Sequence, residues 1–77
     1  EMVPAYIMVK ANTGEADRLK GAISDLDGVE DVHIVAGDVD LIVKVSVDSP
    51  AEVKEIAATG IQGVSGVEDT QTYIAMD

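Results

Sequence analysis

The tetrapeptide GVED occurs twice in this sequence, at residues 28–31 and again at residues 66–69. The second copy follows the first by about half of the 77-residue chain. Sliding the chain by this offset also superimposes two apolar alternating runs, with Val3, Ala5, Ile7 and Val9 falling on Leu41, Val43, Val45 and Val47. Each half therefore has the pattern of a strand, an amphipathic segment, a Gly-Val turn and a second strand.

Local signals place the predicted elements. The first helix is expected to open near residues 12–13, an Asn-Thr pair favourable for N-caps, and to end at Gly28. The sequence SPAE at residues 49–52 predicts a sharp start for the second helix, with Ser as N-cap, Pro in the first turn and Glu closing a capping box. The strands are predicted at about residues 3–10, 29–36, 40–47 and 67–76.

Two such halves predict one α+β domain over residues 1–77 with a ferredoxin-like βαββαβ fold. Right-handed crossovers give a four-stranded antiparallel sheet in the order 4-1-3-2 with both helices on one face. The odd-numbered positions of the central strands are apolar and should meet the helices. The even-numbered positions are too apolar for water and too polar for a sealed core, which predicts a dimer through the face that carries Tyr6, Met8, Ile42 and Lys44.

The charge balance restricts the partners. Fifteen acidic residues against five basic ones give a net charge of −10, which repels nucleic acids and anionic membranes. An ordinary acidic domain and adaptation to high salt both fit, and the scarcity of lysine and large aromatic residues favours high salt. No apolar run approaches the ~20 residues that span a bilayer, and no signal peptide is present, so we expect a cytoplasmic protein that starts at Met2, with Glu1 an addition or an alternative start.

Residues with catalytic or metal-binding chemistry are few. The chain has no cysteine, and its one histidine, His33, has no partners at a metal spacing and no nucleophile to activate. The glycines form no phosphate-binding motif. We therefore predict no catalytic residue, no metal, no cofactor and no enzymatic activity, and His33 is expected to be a strand or interface residue.

Two segments permit both a structural and a functional interpretation. The loop Gly37-Asp38-Val39-Asp40 is typical of a hairpin turn, yet its backbone N–H groups and carboxylates could hold a carboxylate and an ammonium group. Thr70 and Thr72 suit a strand, yet their hydroxyls lie on one side of it and could face a polar ligand. The residue types alone favour the structural interpretation of both segments.

These two segments also carry a resemblance. The string VHIVAGDVDLIVKV at residues 32–45 and the string GVEDTQTYI at residues 66–74 resemble the RAM domain, the ligand-binding domain of the Lrp/AsnC transcription regulators. The resemblance covers nearly the whole chain. Regulators of this family carry a helix-turn-helix before the domain, and nothing here precedes the first strand. The sequence therefore resembles the stand-alone form without DNA-binding activity, and with its acidity it suggests a salt-loving archaeon.

The resemblance implies homodimers that pair through their sheets and join as a ring of four dimers, an octamer, with an amino-acid effector at contacts between dimers. The effector residues carried over form one pocket and are Gly37, Asp38, Val39, Asp40, Thr70 and Thr72. Many family members have Tyr or Phe where this chain has Val39, so one ring that could pack on the ligand is missing. Full-length Lrp/AsnC regulators are further expected partners.

The resulting expectation is an effector-binding and oligomerisation module. The alternative is a purely structural assembly module without a ligand. The two are distinguished by whether any amino acid raises the melting temperature of the protein. An enzyme on the same fold, such as a dimeric α/β-barrel oxygenase, would need a reactive cavity lined by acid–base groups. His33 is the only candidate for such a group. An ACT-type amino-acid sensor shares the fold.

Overall fold

The computed structural model describes residues 2–77 as a four-stranded antiparallel sheet covered on one face by helices. In chain order the elements are β1 (Val3–Ala11), α1 (Ala16–Ser24), β2 (Val29–Ile34), β3 (Leu41–Val47), α2 (Pro50–Glu55), a π-helical segment (Ile56–Ile61) and β4 (Val67–Ile74). The sheet order is β2-β3-β1-β4, which is the predicted order read from the opposite edge. The predicted ferredoxin-like fold is confirmed.

The two central strands fix which side chains enter the core. In the register of β1 and β3, Ile7 lies opposite Val43 and Met8 lies opposite Ile42. The odd-numbered residues of both strands turn towards the helices, as predicted, because side chains alternate along a strand. The largest side chains that are fully buried are Ile7, Val9, Leu19, Ile23, Leu41, Val43, Val45, Val53 and Ile61.

The sequence repeat is a structural repeat. Gly28 and Gly66, which open the two GVED segments, have positive φ angles of 90° and 102°. In the first turn the Leu26 amide donates to the Ile23 carbonyl at 3.0 Å, and in the second the Val64 amide donates to the Ile61 carbonyl at 3.0 Å. Equivalent residues of the two halves thus build the two turns in the same way.

The start of α1 differs from the prediction. The helix begins at Ala16 after Glu15, and neither residue of the Asn12-Thr13 pair caps it. Residues 12–15 instead form a turn in which the Glu15 amide donates to the Asn12 carbonyl at 3.1 Å, and Gly14 takes a φ of 80°. The Asn12 amide donates to the Gly66 carbonyl at 2.8 Å, so this residue continues the pairing at the end of β1 rather than opening a helix.

The start of α2 agrees with the prediction. Ser49 is the N-cap, its hydroxyl accepts the Glu52 amide at 3.3 Å, and Pro50 is the first helical residue. The Glu52 carboxylate accepts the Asp48 amide at 2.9 Å, so it binds the residue before the N-cap rather than the Ser49 amide that the predicted capping box would use.

The helix then widens into the π-helical segment, where the Gln62 amide donates to the Ala57 carbonyl at 3.2 Å. The sequence did not predict this widening. The strand ends also shift, with β1 reaching Ala11, β2 ending at Ile34, β3 starting at Leu41 and β4 ending at Ile74.

Candidate effector site

The loop between β2 and β3 is held by Asp40. Its backbone carbonyl accepts the Val35 amide at 2.9 Å, which closes the loop, and its backbone amide donates to the Val9 carbonyl at 2.9 Å. Its carboxylate Oδ2 accepts the Ala11 amide at 2.8 Å. Asp40 therefore ties the loop to the end of β1, where the pairing with β4 shifts by one residue. Its second carboxylate oxygen has no hydrogen-bond partner within residues 2–77.

The rest of the loop is open to solvent. Gly37 and Asp38 are exposed, and Val39 is half-buried. The Asp38 carboxylate accepts no hydrogen bond from any residue between 2 and 77. The loop therefore has one exposed carboxylate without a hydrogen-bond partner and a small, half-buried apolar side chain beside it.

Thr70 and Thr72 line a groove between β4 and the helices. Their positions opposite Val9 and Ile7 put both side chains on the helix face of the sheet. The Thr70 hydroxyl accepts the Gln62 side-chain amide at 2.7 Å, while Thr72 is exposed. The groove has a volume of about 360 Å³, and its other lining residues are Pro50, Val53, Lys54, Ala57, Ala58 and Ile74.

The structure places the loop and Thr70 at one end of the sheet, on either side of Val9, whereas Thr72 lies opposite Ile7 near the middle of β1. Leu41, which follows the loop, is one partner of Val9, and Thr70 is the other. Strands lie ~4.8 Å apart, so the backbones of Leu41 and Thr70 are roughly 10 Å apart. Residues 37–40 do not line the groove within one chain. A pocket shared by the two segments stays a prediction.

The face of the sheet opposite the helices carries the four residues predicted for a dimer interface. Tyr6 is 39% exposed, Met8 and Ile42 are half-buried, and the Lys44 Nζ lies 3.7 Å from the Glu30 Oε1. No part of residues 2–77 covers this sheet face. His33 lies opposite Ile42 at the exposed edge strand.

Three residues at these surfaces were missed by the sequence interpretation. Tyr73 lies opposite Tyr6 on the open sheet face and is 51% exposed. The alternation along β4 would have revealed it, because Thr70 and Thr72 occupy the other face. Gln62 and Lys54 reach the groove from the helices, and no sequence signal linked them to β4.

Metal sites and membrane-spanning helices were searched for among the described residues. Residues 2–77 contain no group of three or more His, Cys, Asp or Glu side chains placed to hold a metal ion. None of the helices formed by these residues has the length and apolar character needed to cross a bilayer.

Comparison with known proteins gives the family. The sequence profile described as "Lrp/AsnC ligand binding domain" matches residues 4–77. The chain belongs to this family. Its curated relatives include the leucine-responsive regulatory protein of Haemophilus influenzae, which is 30% identical over 70 residues, covering 91% of this chain and 42% of the relative. This Lrp/AsnC domain thus spans less than half the length of the curated relatives that it matches. Those relatives are named as regulatory proteins rather than enzymes.

Solved structures share the fold over almost the whole chain. A protein of Thermus thermophilus superimposes with a TM-score of 0.93 at 28% identity, covering 97% of this chain and 94% of that one. A transcriptional regulator of Neisseria meningitidis, solved as a complex with L-Met, superimposes with a TM-score of 0.83 at 14% identity, covering 97% of this chain and 50% of that one.

Proposed function

We propose that this Lrp/AsnC domain binds a free amino acid as its effector. The observation that carries the proposal is the groove in which Thr70 and Thr72 lie beside apolar side chains, in a domain whose family is described as ligand-binding. The Neisseria meningitidis regulator of the same fold, solved with L-Met, supports an amino acid as the class of ligand.

The groove offers the groups that an aliphatic amino acid needs. Lys54 and the hydroxyl of Thr72 are donors for a carboxylate, and Val53 and Ala57 form an apolar wall. The groove contains no acid, so the ammonium group needs an acceptor from elsewhere. We propose that the loop Gly37-Asp38-Val39-Asp40 of a neighbouring subunit closes the groove and supplies it.

Assembly follows from the same proposal. The face with Tyr6, Met8, Ile42 and Lys44, extended by Tyr73, is an apolar surface that a second copy would cover, and dimers would then join into a ring. The net charge of −10 disfavours contact with DNA, so we propose that the domain acts through subunit contacts, including contacts with full-length relatives, rather than as an enzyme or a DNA-binding protein. If no ligand exists, this sheet face supports the second candidate function, a structural assembly module.

Isothermal titration of the assembled protein with amino acids, at molar salt, tests the ligand site. The variant Thr72→Val removes one hydroxyl without changing the shape, and Asp40→Asn keeps an oxygen for the Ala11 amide while removing the charge. Each should weaken binding ~10-fold or more, because a hydrogen bond to a charged group contributes about 1.5–3 kcal/mol.

The variant Asp17→Asn serves as the control, because it removes one charge from the exposed first turn of α1 and should bind like the parent protein. A protein that binds an amino acid equally well with all three substitutions would place the site elsewhere. A parent protein that binds none of the twenty would end the proposal of an amino-acid effector.

A further inference from the structure

The two halves of the internal repeat pack a helix on the following strand in different ways. In the first half Leu19 of α1 and Val32 of β2 are both buried in the core. The interval that separates the two GVED segments makes Ala57 the equivalent of Leu19 and Thr70 the equivalent of Val32. A smaller side chain and a hydroxyl thus occupy these positions in the second half, where both line the groove. The groove lies where the other half of the fold has closed apolar packing.

The polar residue that follows these helical positions also differs between the halves. Ser24 and Gln62 are equivalent in the repeat, and the Ser24 hydroxyl donates back to the Lys20 carbonyl of its own helix at 2.6 Å. Gln62 follows the π-helical segment, a type of widening that is frequent at functional sites. Its side-chain amide donates to the Thr70 Oγ1 at 2.7 Å. The second half therefore has a polar contact across its groove that Ser24 does not make in the first half.

This contact determines how the Thr70 hydroxyl acts. A hydroxyl has one hydrogen to donate and two lone pairs with which to accept. Because the Thr70 Oγ1 accepts from Gln62, its own hydrogen points away from Gln62 and remains a donor. Thr72 lies ~7 Å further along the strand, since each residue rises ~3.4 Å. Hydrogen bonds from a hydroxyl to a carboxylate are ~2.6 Å long, so one carboxylate between the two threonines can accept from both.

The charge of the groove favours an anion. Lys54 is the only charged residue among those that line it, in a chain with fifteen acidic residues. Its ammonium group forms no ion pair within residues 2–77, where the ion pairs are those of Arg18 and Lys44. A carboxylate is therefore attracted at the groove, whereas the acidic residues repel it over most of the remaining surface.

The apolar part of the groove lies towards its other end. β3 and β4 both run antiparallel to β1, so the helices that connect them run antiparallel to β4. Gln62, after the helices, therefore lies beside the start of β4, and Pro50, at their beginning, lies towards Ile74. Pro50, Val53 and Ile74 form an apolar wall for the body of a ligand whose carboxylate lies at the threonines.

We propose that the threonine end of this groove is a carboxylate site, which binds small aliphatic carboxylates with or without an amino group. Thr70 and Thr72 donate to the carboxylate, and Lys54 supplies the opposite charge. Gln62 is a positioning residue that keeps the Thr70 hydroxyl a donor. Resting on the effector groove proposed above, this site recognises the carboxylate and the apolar body within one chain, whereas the ammonium group is left to a neighbouring subunit.

Three probes with the same branched apolar body test the site on the assembled protein at molar KCl. They are leucine, 4-methylpentanoate, which lacks the amino group, and 3-methylbutylammonium, which lacks the carboxylate. Ligand-observed NMR titration measures the Kd of each. We expect 4-methylpentanoate to bind. The probe 3-methylbutylammonium should bind at least ~10-fold more weakly, because it loses the hydrogen bonds between the hydroxyls and a charged group.

The variant Gln62→Glu tests the direction of the contact. The introduced carboxylate only accepts hydrogen bonds, so it takes the hydrogen of the Thr70 hydroxyl and also repels the probe. We expect 4-methylpentanoate binding to weaken at least ~10-fold. Ser24→Glu is the matched control, because it adds the same charge at the equivalent exposed position of the first half and should change binding less than ~2-fold.

A double-mutant cycle tests whether Gln62 acts through Thr70. Gln62→Met keeps the length of the side chain and removes the donor. It should weaken 4-methylpentanoate binding ~5-fold in the parent protein but less than ~2-fold when Thr70→Val is already present. Melting temperatures establish that each variant is folded. Equal weakening in the two backgrounds is the result of a packing role alone, and it would overturn the positioning role of Gln62.

The carboxylate site and the amino-acid effector fail on different results. Absence of 4-methylpentanoate binding, or equal effects of Gln62→Glu and Ser24→Glu, would overturn the carboxylate site even if leucine binds. Binding of 4-methylpentanoate with the expected pattern of variants, but of no amino acid, would uphold the carboxylate site and exclude the amino-acid effector.

Discussion

Two glycines hold the turns that precede β2 and β4. Gly28 and Gly66 both take positive φ angles, which side chains with a Cβ atom rarely adopt. Their surroundings differ, because a Cβ at Gly28 would meet the Ile56 and Val47 side chains at 2.7 and 2.9 Å, whereas one at Gly66 would meet the flexible end of Arg18. The same turn is thus more tightly enclosed in the first half.

The substitution Gly28→Ala should lower the free energy of unfolding by about 2–4 kcal/mol, because it combines backbone strain with overpacking. Gly66→Ala should lower it by about 1–2 kcal/mol, mainly through strain. Gly21→Ala is the control, since Gly21 lies in α1 with open space around it and should gain about 0.5–1 kcal/mol. Urea unfolding at fixed salt measures all three. Equal effects of Gly28→Ala and Gly21→Ala would contradict the structure.

At the scale of the element, the two helices begin in different ways. Ser49 caps α2 with its side chain, whereas α1 begins at Ala16 with no side-chain cap from Glu15. Ser49→Ala should therefore reduce stability by about 0.5–2 kcal/mol. Thr13→Ala should have little effect, because this residue lies in an exposed turn before α1. Chemical unfolding compares the two variants, and a larger loss for Thr13→Ala would show that the turn at residues 12–15 is wrong.

The same elements show what the sequence could predict. Alternation in β1 and β3 and the repeat identified the fold, since both patterns depend on side-chain direction alone. The predicted start of α1 was wrong because Asn12 suits a helix cap and a turn equally well. The turn is favoured only by the hydrogen bond from the Asn12 amide to the carbonyl of Gly66, which lies far along the chain. The widening at Ile56–Ile61 gave no local signal.

The candidate site was predictable only in part. Thr70 and Thr72 share a side because they are two residues apart on a strand, and the structure brings both to one groove. Gln62 and Lys54 come from the helices, so their place beside the threonines depends on helix-to-sheet packing.

The sheet face that carries Tyr6, Met8, Ile42 and Lys44 predicts a dimer of the domain. Tyr6→Glu should convert the dimer to a monomer, because a carboxylate would be buried at the centre of the proposed interface, which should exceed ~1,000 Å². Ser24→Glu adds the same charge on an exposed position of α1 and should leave the dimer intact. Light scattering at high salt reports the mass of each. A parent protein that is monomeric at high micromolar concentration would refute the dimer.

At the scale of the whole molecule, five basic residues offset only a third of the fifteen acidic ones, which leaves a net charge of −10. The two ion pairs of residues 2–77 are both exposed, and such pairs contribute little to stability. Below ~0.1 M salt the Debye length exceeds ~10 Å, so the acidic residues repel one another across the domain. Adaptation to high salt remains a prediction on this ground.

The melting temperature should therefore rise as KCl increases from low to molar concentration. A variant with Asp17→Asn, Asp25→Asn and Glu68→Gln should show a smaller rise, because it has less self-repulsion to screen; all three residues are exposed. Identical salt dependence in both proteins would assign the rise to a general effect of the salt. A melting temperature that does not change with salt would count against the adaptation.

Effector binding is tested most directly by melting the purified protein with each of the twenty amino acids at molar KCl. A ligand that binds only the folded state adds about 2.7 kcal/mol at 100 times its Kd, and each kcal/mol raises the melting temperature of so small a domain by about 4–8 °C. We expect at least one amino acid to raise the melting temperature in a concentration-dependent way and Thr72→Val to reduce that rise. No rise with any of the twenty at millimolar concentration would contradict the account.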